Sequence, residues 1–381
     1  MKSVTDRVFG LDLLRAAAIM MVICAHAFGV LYPHFGPALG LLGHGGFYGV
    51  ELFFVLSGFL IGQILIQQGA GLDRAENVAV FYVRRWFRTL PLFFLFLLVN
   101  VWLEFQFRGH RVGLGETLSH GFFLRNLAGF HMSFFPESWS LAIEEWFYLL
   151  FPAAIWLGLK MSKRFDAVFL AAAFAFFALS TTARMMAAPD PAATWSEAQR
   201  MVVIYRFDAL MLGMFSAWLS LRFPQRWTRH ATVSALAGVV LLLAMYATLW
   251  KIENGQLAFG DDSFFARTFR FSCVSLGFAL LLPWASAWKL RRENVSSTAV
   301  RRIALWSYGL YLVHLPVFLI VTRVIIRADQ VGALLPALVS FSLQVGGAIL
   351  LSAFLYRFFE APCTRLRERA APAVAGLFPR G

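Results

Sequence analysis

The sequence predicts an all-α integral membrane protein, a bundle of about ten transmembrane helices with both termini cytoplasmic. Three observations carry this. Of 381 residues, 59% are hydrophobic and 14% charged, with 41 Phe and 12 Trp, far more apolar than a soluble chain of this length. Apolar stretches long enough to cross a bilayer recur from end to end. The basic residues gather in clusters between alternate stretches, as the positive-inside rule arranges them.

The predicted spans are 11–31, 47–66, 88–107, 139–158, 165–183, 202–221, 231–250, 266–287, 303–325 and 334–357. The inner segments then hold Lys2 and Arg7; Arg74, Arg84, Arg85 and Arg88; Lys160, Lys163 and Arg164; Arg222, Arg226 and Arg229; Lys289, Arg291, Arg292, Arg301 and Arg302; and Arg357, Arg365, Arg367, Arg369 and Arg380. The outer segments hold far fewer, and 31–47 holds none, so both ends are expected inside. Residues 1–360 form the transmembrane domain and 361–381 a basic cytoplasmic tail. The longest outer loop, 108–138, carries His110, His120 and His131 without ligand-like spacing, and they are expected as solvated surface residues rather than a metal site. A second outer segment, 184–201, is rich in Pro and Ala.

A net charge of +13 alone would suit nucleic acid, but its placement between apolar spans fits the lipid bilayer and argues against nucleic-acid binding. Cys24, Cys273 and Cys363 show no paired spacing, so neither a disulfide framework nor a CxxC site is expected. The basic start and the Ala25-His26-Ala27 triplet imitate a signal peptide with its cleavage site, but the apolar run continues through Leu31, and an uncleaved span is expected.

The first span, LDLLRAAAIMMVICAHAFGVL, places Asp12, Arg15 and His26 at membrane depth, where ionisable side chains mark functional sites by default. Arg15 and His26 are eleven positions apart, three turns plus about 20°, and so share a face at depths about 16 Å apart. The second span reads GVELFFVLSGFLIGQ, with Glu51 at its outer end; Ser57 and Gly58 suit close helix packing, and a catalytic Ser57 would need a base beside it. In FYVRRWFRTLP, Arg85 and Arg88 share a helical face at the inner surface and are spaced to hold a phosphate, while Arg84 suits an anchor. The stretch ESWSLAIEEWFYLLFP puts Glu137, Trp139 and Ser140 outside. Glu144 and Glu145 then lie just inside the helix near the outer leaflet, about 100° apart, so that at most one squarely faces a given site. Arg206 and Asp208 suit a structural ion pair; Tyr308, Tyr311, His314 and Pro316 lie in the ninth span, where His314 suits a hydrogen-bonded core position.

Taken together, LDLLRAAAIMMVICAH, GVELFFVLSGFLI, RRWFRTLP, WSLAIEEWFYLLFP, SYGLYLVHLP and YRFFEAP, in this order on a ten-span layout, resemble the membrane acyltransferase-3 family, which O-acylates carbohydrates and some secondary metabolites in bacteria and related hosts. Departures are mild: Glu51 stands where Asp is common, Ala142 and Trp146 replace frequent small and Gln residues, and Gly309 replaces a usual Ser. The resemblance implies an acyl-CoA-dependent O-acyltransferase, most simply an acetyltransferase, of the bacterial cytoplasmic (inner) membrane. It implies acyl-CoA as co-substrate with no tightly bound cofactor or metal, and a carbohydrate or glycoconjugate acceptor. Arg85 and Arg88 would hold the CoA phosphates, with Arg15 binding acyl-CoA deeper in the track, and His26 would be general base or transient acyl carrier. Glu144 or Glu145 would orient His26 or bind the sugar, and Ser57, Tyr308 or His314 would contact the oxyanion or acceptor. Some relatives carry an appended extracytoplasmic domain; with none after the tenth span, the membrane domain is expected to complete the transfer alone or with a separate partner. A polar Arg-His track would also serve a transporter or flippase, which would leave acyl-CoA intact.

Overall fold

A computed structural model describes residues 8–36, 42–130, 132, 134–187, 196–253, 263–290, 292–326 and 332–377. Lys2, Arg7, His131, Arg291, Arg380 and much of the Pro/Ala-rich 184–201 segment lie outside the described residues.

The described residues are helical with no strand. In chain order the main helices are α1 (Phe9–Ala27), α2 (Gly45–Gln68), α3 (Ala75–Arg108), α4 (Leu114–Gly121), α5 (Ser138–Met161), α6 (Phe165–Met186), α7 (Phe207–Arg222), α8 (Ala231–Glu253), α9 (Arg270–Ala287), α10 (Val295–Ile320), α11 (Leu334–Leu355) and α12 (Ala361–Ala375). Among the described residues nine helical segments are long and apolar enough to cross a membrane, against ten predicted. The difference is α7, predicted over 202–221. A 3-10 turn at Val203–Tyr205 delays its start, and its 16 residues rise only about 24 Å. Nine of those residues are buried, among them Phe207, Leu210, Met211 and Met214, so it is packed among protein rather than presented to lipid.

The chain divides into two compact units. The first comprises residues 1–53, 92–112 and 284–361. Within it α1 packs against α10, and α10 against α11. Gly49 of α2 lies so close to α1 that a Cβ there would meet Ala18 O at 2.5 Å. The start of α10 is fixed by a capping box, Asn294 accepting from the Ser297 backbone N–H while the Ser297 hydroxyl receives the Asn294 N–H, which satisfies two of the donors a helix start leaves over.

The second unit comprises residues 54–91, 113–283 and 362–381; the described part of the expected tail belongs to it as α12. Here α2 and α7 approach backbone to backbone. A Cβ on Gly58 would lie 2.0 Å from Leu210 O, and one on Gly213 would lie 2.2 Å from Val55 O. Small-residue packing therefore accounts for Gly58, as its sequence context suggested. A buried ionic knot joins α6, α7 and α9: Asp208 Oδ2 lies 3.0 Å from Arg184 Nη2 and accepts from Ser272 Oγ at 2.7 Å, while Asp208 Oδ1 lies 3.7 Å from Arg206 Nε, all three charged side chains having no exposed surface. The expected Arg206–Asp208 pair is present, enlarged by Arg184, whose guanidinium also donates to the backbone oxygens of Thr268 and Tyr205.

Candidate active site

The residues singled out in the sequence assemble into two clusters, one in each unit. In the first unit, α1 carries Arg15, half-buried, and His26, exposed, three turns apart on one continuous helix as expected. His26 Nδ1 lies 3.0 Å from Nε2 of His314 on α10. The ring centroids are 5.0 Å apart with planes inclined by 24°, so the rings meet edge to edge. His314 has no exposed surface; its Nδ1 donates to Tyr311 O at 2.7 Å, and its ring stands edge-on to Phe318 at 5.7 Å. Tyr308, six residues earlier on α10 and half-buried, lies about 120° round the helix from His314.

In the second unit, α2, α3 and α5 bring Ser57, Arg85, Thr89, Glu144, Glu145 and Tyr148 together. Ser57 Oγ donates to Glu144 Oε1 at 2.5 Å, so the serine has a carboxylate beside it. An Arg85 Nη2–H donates to the Tyr148 phenol oxygen, and the guanidinium carbon lies 3.9 Å from the ring centroid, a cation–π contact. Glu145 is buried, with Arg85 and Thr89 as its polar neighbours. Two adjacent carboxylates thus point at different partners, as their 100° offset requires. Arg88 is exposed one turn beyond Arg85.

Two expectations are corrected. Arg85 was placed at the inner surface and the Glu pair near the outer leaflet, yet they meet. Helix α3 begins at Ala75, so Arg85 is ten residues and about 15 Å along it rather than at its threshold. Glu137, Trp139 and Ser140 are buried in the protein, where the Asn126 amide donates to Trp139 O and Met201 O. His120, expected as a solvated surface residue, is 2% exposed, with Nδ1 and Nε2 each 3.1 Å from a backbone oxygen, of Glu116 and Phe134. Desolvation holds its ring below the ordinary histidine pKa. Tyr148 and Thr89 were not singled out in the sequence. Tyr148 stands three and four residues past the two glutamates, on the face of α5 they share in part, a spacing that points to it.

Comparison with known proteins bears on the family. Residues 8–357 match the model of the acyltransferase-3 family, described as an acyltransferase domain. The chain is 29% identical over 376 residues to YrhL of Bacillus subtilis, provisionally named a peptidoglycan O-acetyltransferase, covering 93% of this chain and 54% of that protein. It is 26% identical over 370 residues to the peptidoglycan O-acetyltransferase OatA of Listeria monocytogenes, covering 92% of this chain and 55% of that protein. The chain spans about half the length of the curated relatives it matches. No solved structure matches it significantly. A multi-pass helical membrane protein matched over nearly its whole length by one family model, this chain belongs to the acyltransferase-3 family.

Proposed function

We propose that the protein is an O-acetyltransferase of the bacterial inner membrane, with both termini cytoplasmic, that moves an acetyl group from cytoplasmic acetyl-CoA to a hydroxyl of a carbohydrate or glycoconjugate, peptidoglycan sugars being one such acceptor class. The observation that carries the reading is α1. One spanning helix in a chain of this family presents an Arg and, three turns on, a His whose ring is exposed on one side and anchored on the other.

Arg85 and Arg88 bind the CoA phosphates, guanidinium forks being suited to bidentate phosphate contacts, and Arg15 on α1 has a separate part in acyl-CoA binding. Tyr148 holds the Arg85 guanidinium in one orientation. His26 takes the proton of the acceptor hydroxyl as the oxygen attacks the thioester carbonyl, or carries the acetyl group in passing, because a neutral imidazole acts as base or nucleophile near neutral pH. Glu144, Glu145 and Ser57 supply hydrogen-bonding groups for the sugar or the oxyanion, and Tyr308 a phenol for the same purpose.

The test is turnover of radiolabelled acetyl-CoA by purified protein in liposomes, with cell-envelope glycan as acceptor. Label is expected in glycan with wild type and not with an equally folded His26→Ala variant. Replacing Arg85 and Arg88 together with Gln is expected to weaken CoA binding at least tenfold, on the order of 1.4 kcal/mol for lost charged hydrogen bonds. Wild type that neither binds nor consumes acetyl-CoA would refute the transferase and leave transport without covalent chemistry.

A further inference from the structure

We propose that His314 is a positioning residue that fixes the tautomer of His26 and so assigns the base to one atom, His26 Nε2. The role of that atom rests on the acetyltransferase reading above; the hydrogen-bond chain behind it does not. Tyr311 O can only accept, so the 2.7 Å contact requires a hydrogen on His314 Nδ1. A second proton on His314 would place a cation in a site with no exposed surface, walled by the Tyr311 and Phe318 rings, where desolvation is costly. The neutral ring therefore has its lone pair on Nε2.

That nitrogen faces His26 Nδ1 at 3.0 Å, edge to edge. Two lone pairs cannot face each other at this distance, so His26 Nδ1–H is the donor. The neutral His26 ring then carries its lone pair on Nε2, on the edge away from buried His314. The chain runs His26 Nδ1–H to His314 Nε2 and His314 Nδ1–H to Tyr311 O, all within the first unit. In the transfer, the acceptor O–H proton passes to His26 Nε2 as the new O–C bond forms and the thioester C–S bond breaks. The proton then passes from Nε2 to the departing sulfur, leaving an ester and CoA thiol, with His26 and His314 as they began.

The experiment uses full-length protein in nanodiscs, labelled with 15N-histidine, with the His26 signals assigned by difference from His26→Ala. Wild type is expected to show His26 protonated on Nδ1 and bare on Nε2. His314→Gln, whose amide oxygen takes the place of Nε2 as acceptor, is expected to keep this tautomer, and His314→Leu to show a mixture. In turnover, His314→Leu is expected to lose at least about tenfold in kcat with KM for acetyl-CoA within about twofold, the pattern of a misoriented or wrong-tautomer base. His314→Gln is expected to recover most of that loss. If His314→Leu does not fold, His314→Asn, which reaches Tyr311 O but not His26, replaces it. A hydrogen on His26 Nε2 in wild type overturns the proposal, as does equal loss of kcat in the Gln variant and the Leu (or Asn) variant with the tautomer unmoved. Wild type with Nδ1–H on His26 but no acetyl-CoA turnover keeps the tautomer assignment and refutes the transferase reading instead.

Discussion

Replacing Gly58 with Ala tests whether α2 is held against α7 by contact of backbones. A Cβ at position 58 would stand 2.0 Å from Leu210 O, 2.8 Å from Leu210 C and 3.0 Å from Leu210 Cα, and none of these atoms belongs to a side chain that can swing away. Ordinary contact begins near 3.4 Å, so the helices must separate by more than 1 Å. Overpacking of a tight core costs about 1–3 kcal/mol, and a clash against backbone belongs at the upper end, about 3 kcal/mol. That corresponds to a fall in melting temperature on the order of 5 °C. Ser57 precedes the clash by one residue, so its 2.5 Å hydrogen bond to Glu144 is disturbed in the same variant. The assay is thermal unfolding in detergent, with Gly309→Ala as control. A Cβ at position 309 meets nothing nearer than 3.7 Å, and the change gains helix propensity of about 1 kcal/mol. Gly213→Ala opens the same seam from the other side, since its Cβ would meet Val55 O and Phe59 N at 2.2 and 2.6 Å, so the double variant should lose less than the sum of the two. Gly58→Ala melting with or above Gly309→Ala would refute the reasoning.

Two further outcomes are expected. Asp208→Asn removes the carboxylate shared by Arg184 and Arg206 where none of the three has exposed surface, which should cost about 3–5 kcal/mol and show as loss of folded protein on size-exclusion chromatography; a variant as stable as wild type would deny the knot its weight. Because burial depresses the His120 pKa below the ordinary histidine value of about 6.5, the unfolded chain binds the extra proton first as pH falls. The His120 contribution should therefore be fully present above about pH 6.5 and be lost below it, at up to about 1.4 kcal/mol per pH unit. Unfolding of wild type and His120→Gln across pH 5 to 8 checks this, and parallel curves would remove His120 as the source.

What could be read from the sequence was local. Membrane-length apolar stretches marked the long helices, and the eleven-position step from Arg15 to His26 placed them three turns apart on one helix, as found. The pairings were not legible. His314 lies 288 residues from His26 and Glu144 lies 87 from Ser57, and no periodicity encodes contacts between elements so far apart. The meeting of Arg85 with the glutamates has a plainer cause. Hydropathy finds where a helix becomes apolar, not where it begins, and the first turns of α3, AENVAVFYVRR, belong to the same helix. His120 looks like a surface residue in composition and is buried against the Phe134 backbone, a tertiary contact with no local signature.

The ionic knot also bears on how buried charge is matched along the chain. A lone guanidinium or carboxylate resists partition into hydrocarbon. Arg184 and Asp208 are separated by 24 residues, at the facing ends of consecutive helices, whereas Thr268 and Ser272 follow some sixty residues later. The two earlier helices therefore already supply the Asp208–Arg184 pair, and Ser272 of α9 and the Thr268 carbonyl before it complete the hydrogen bonding.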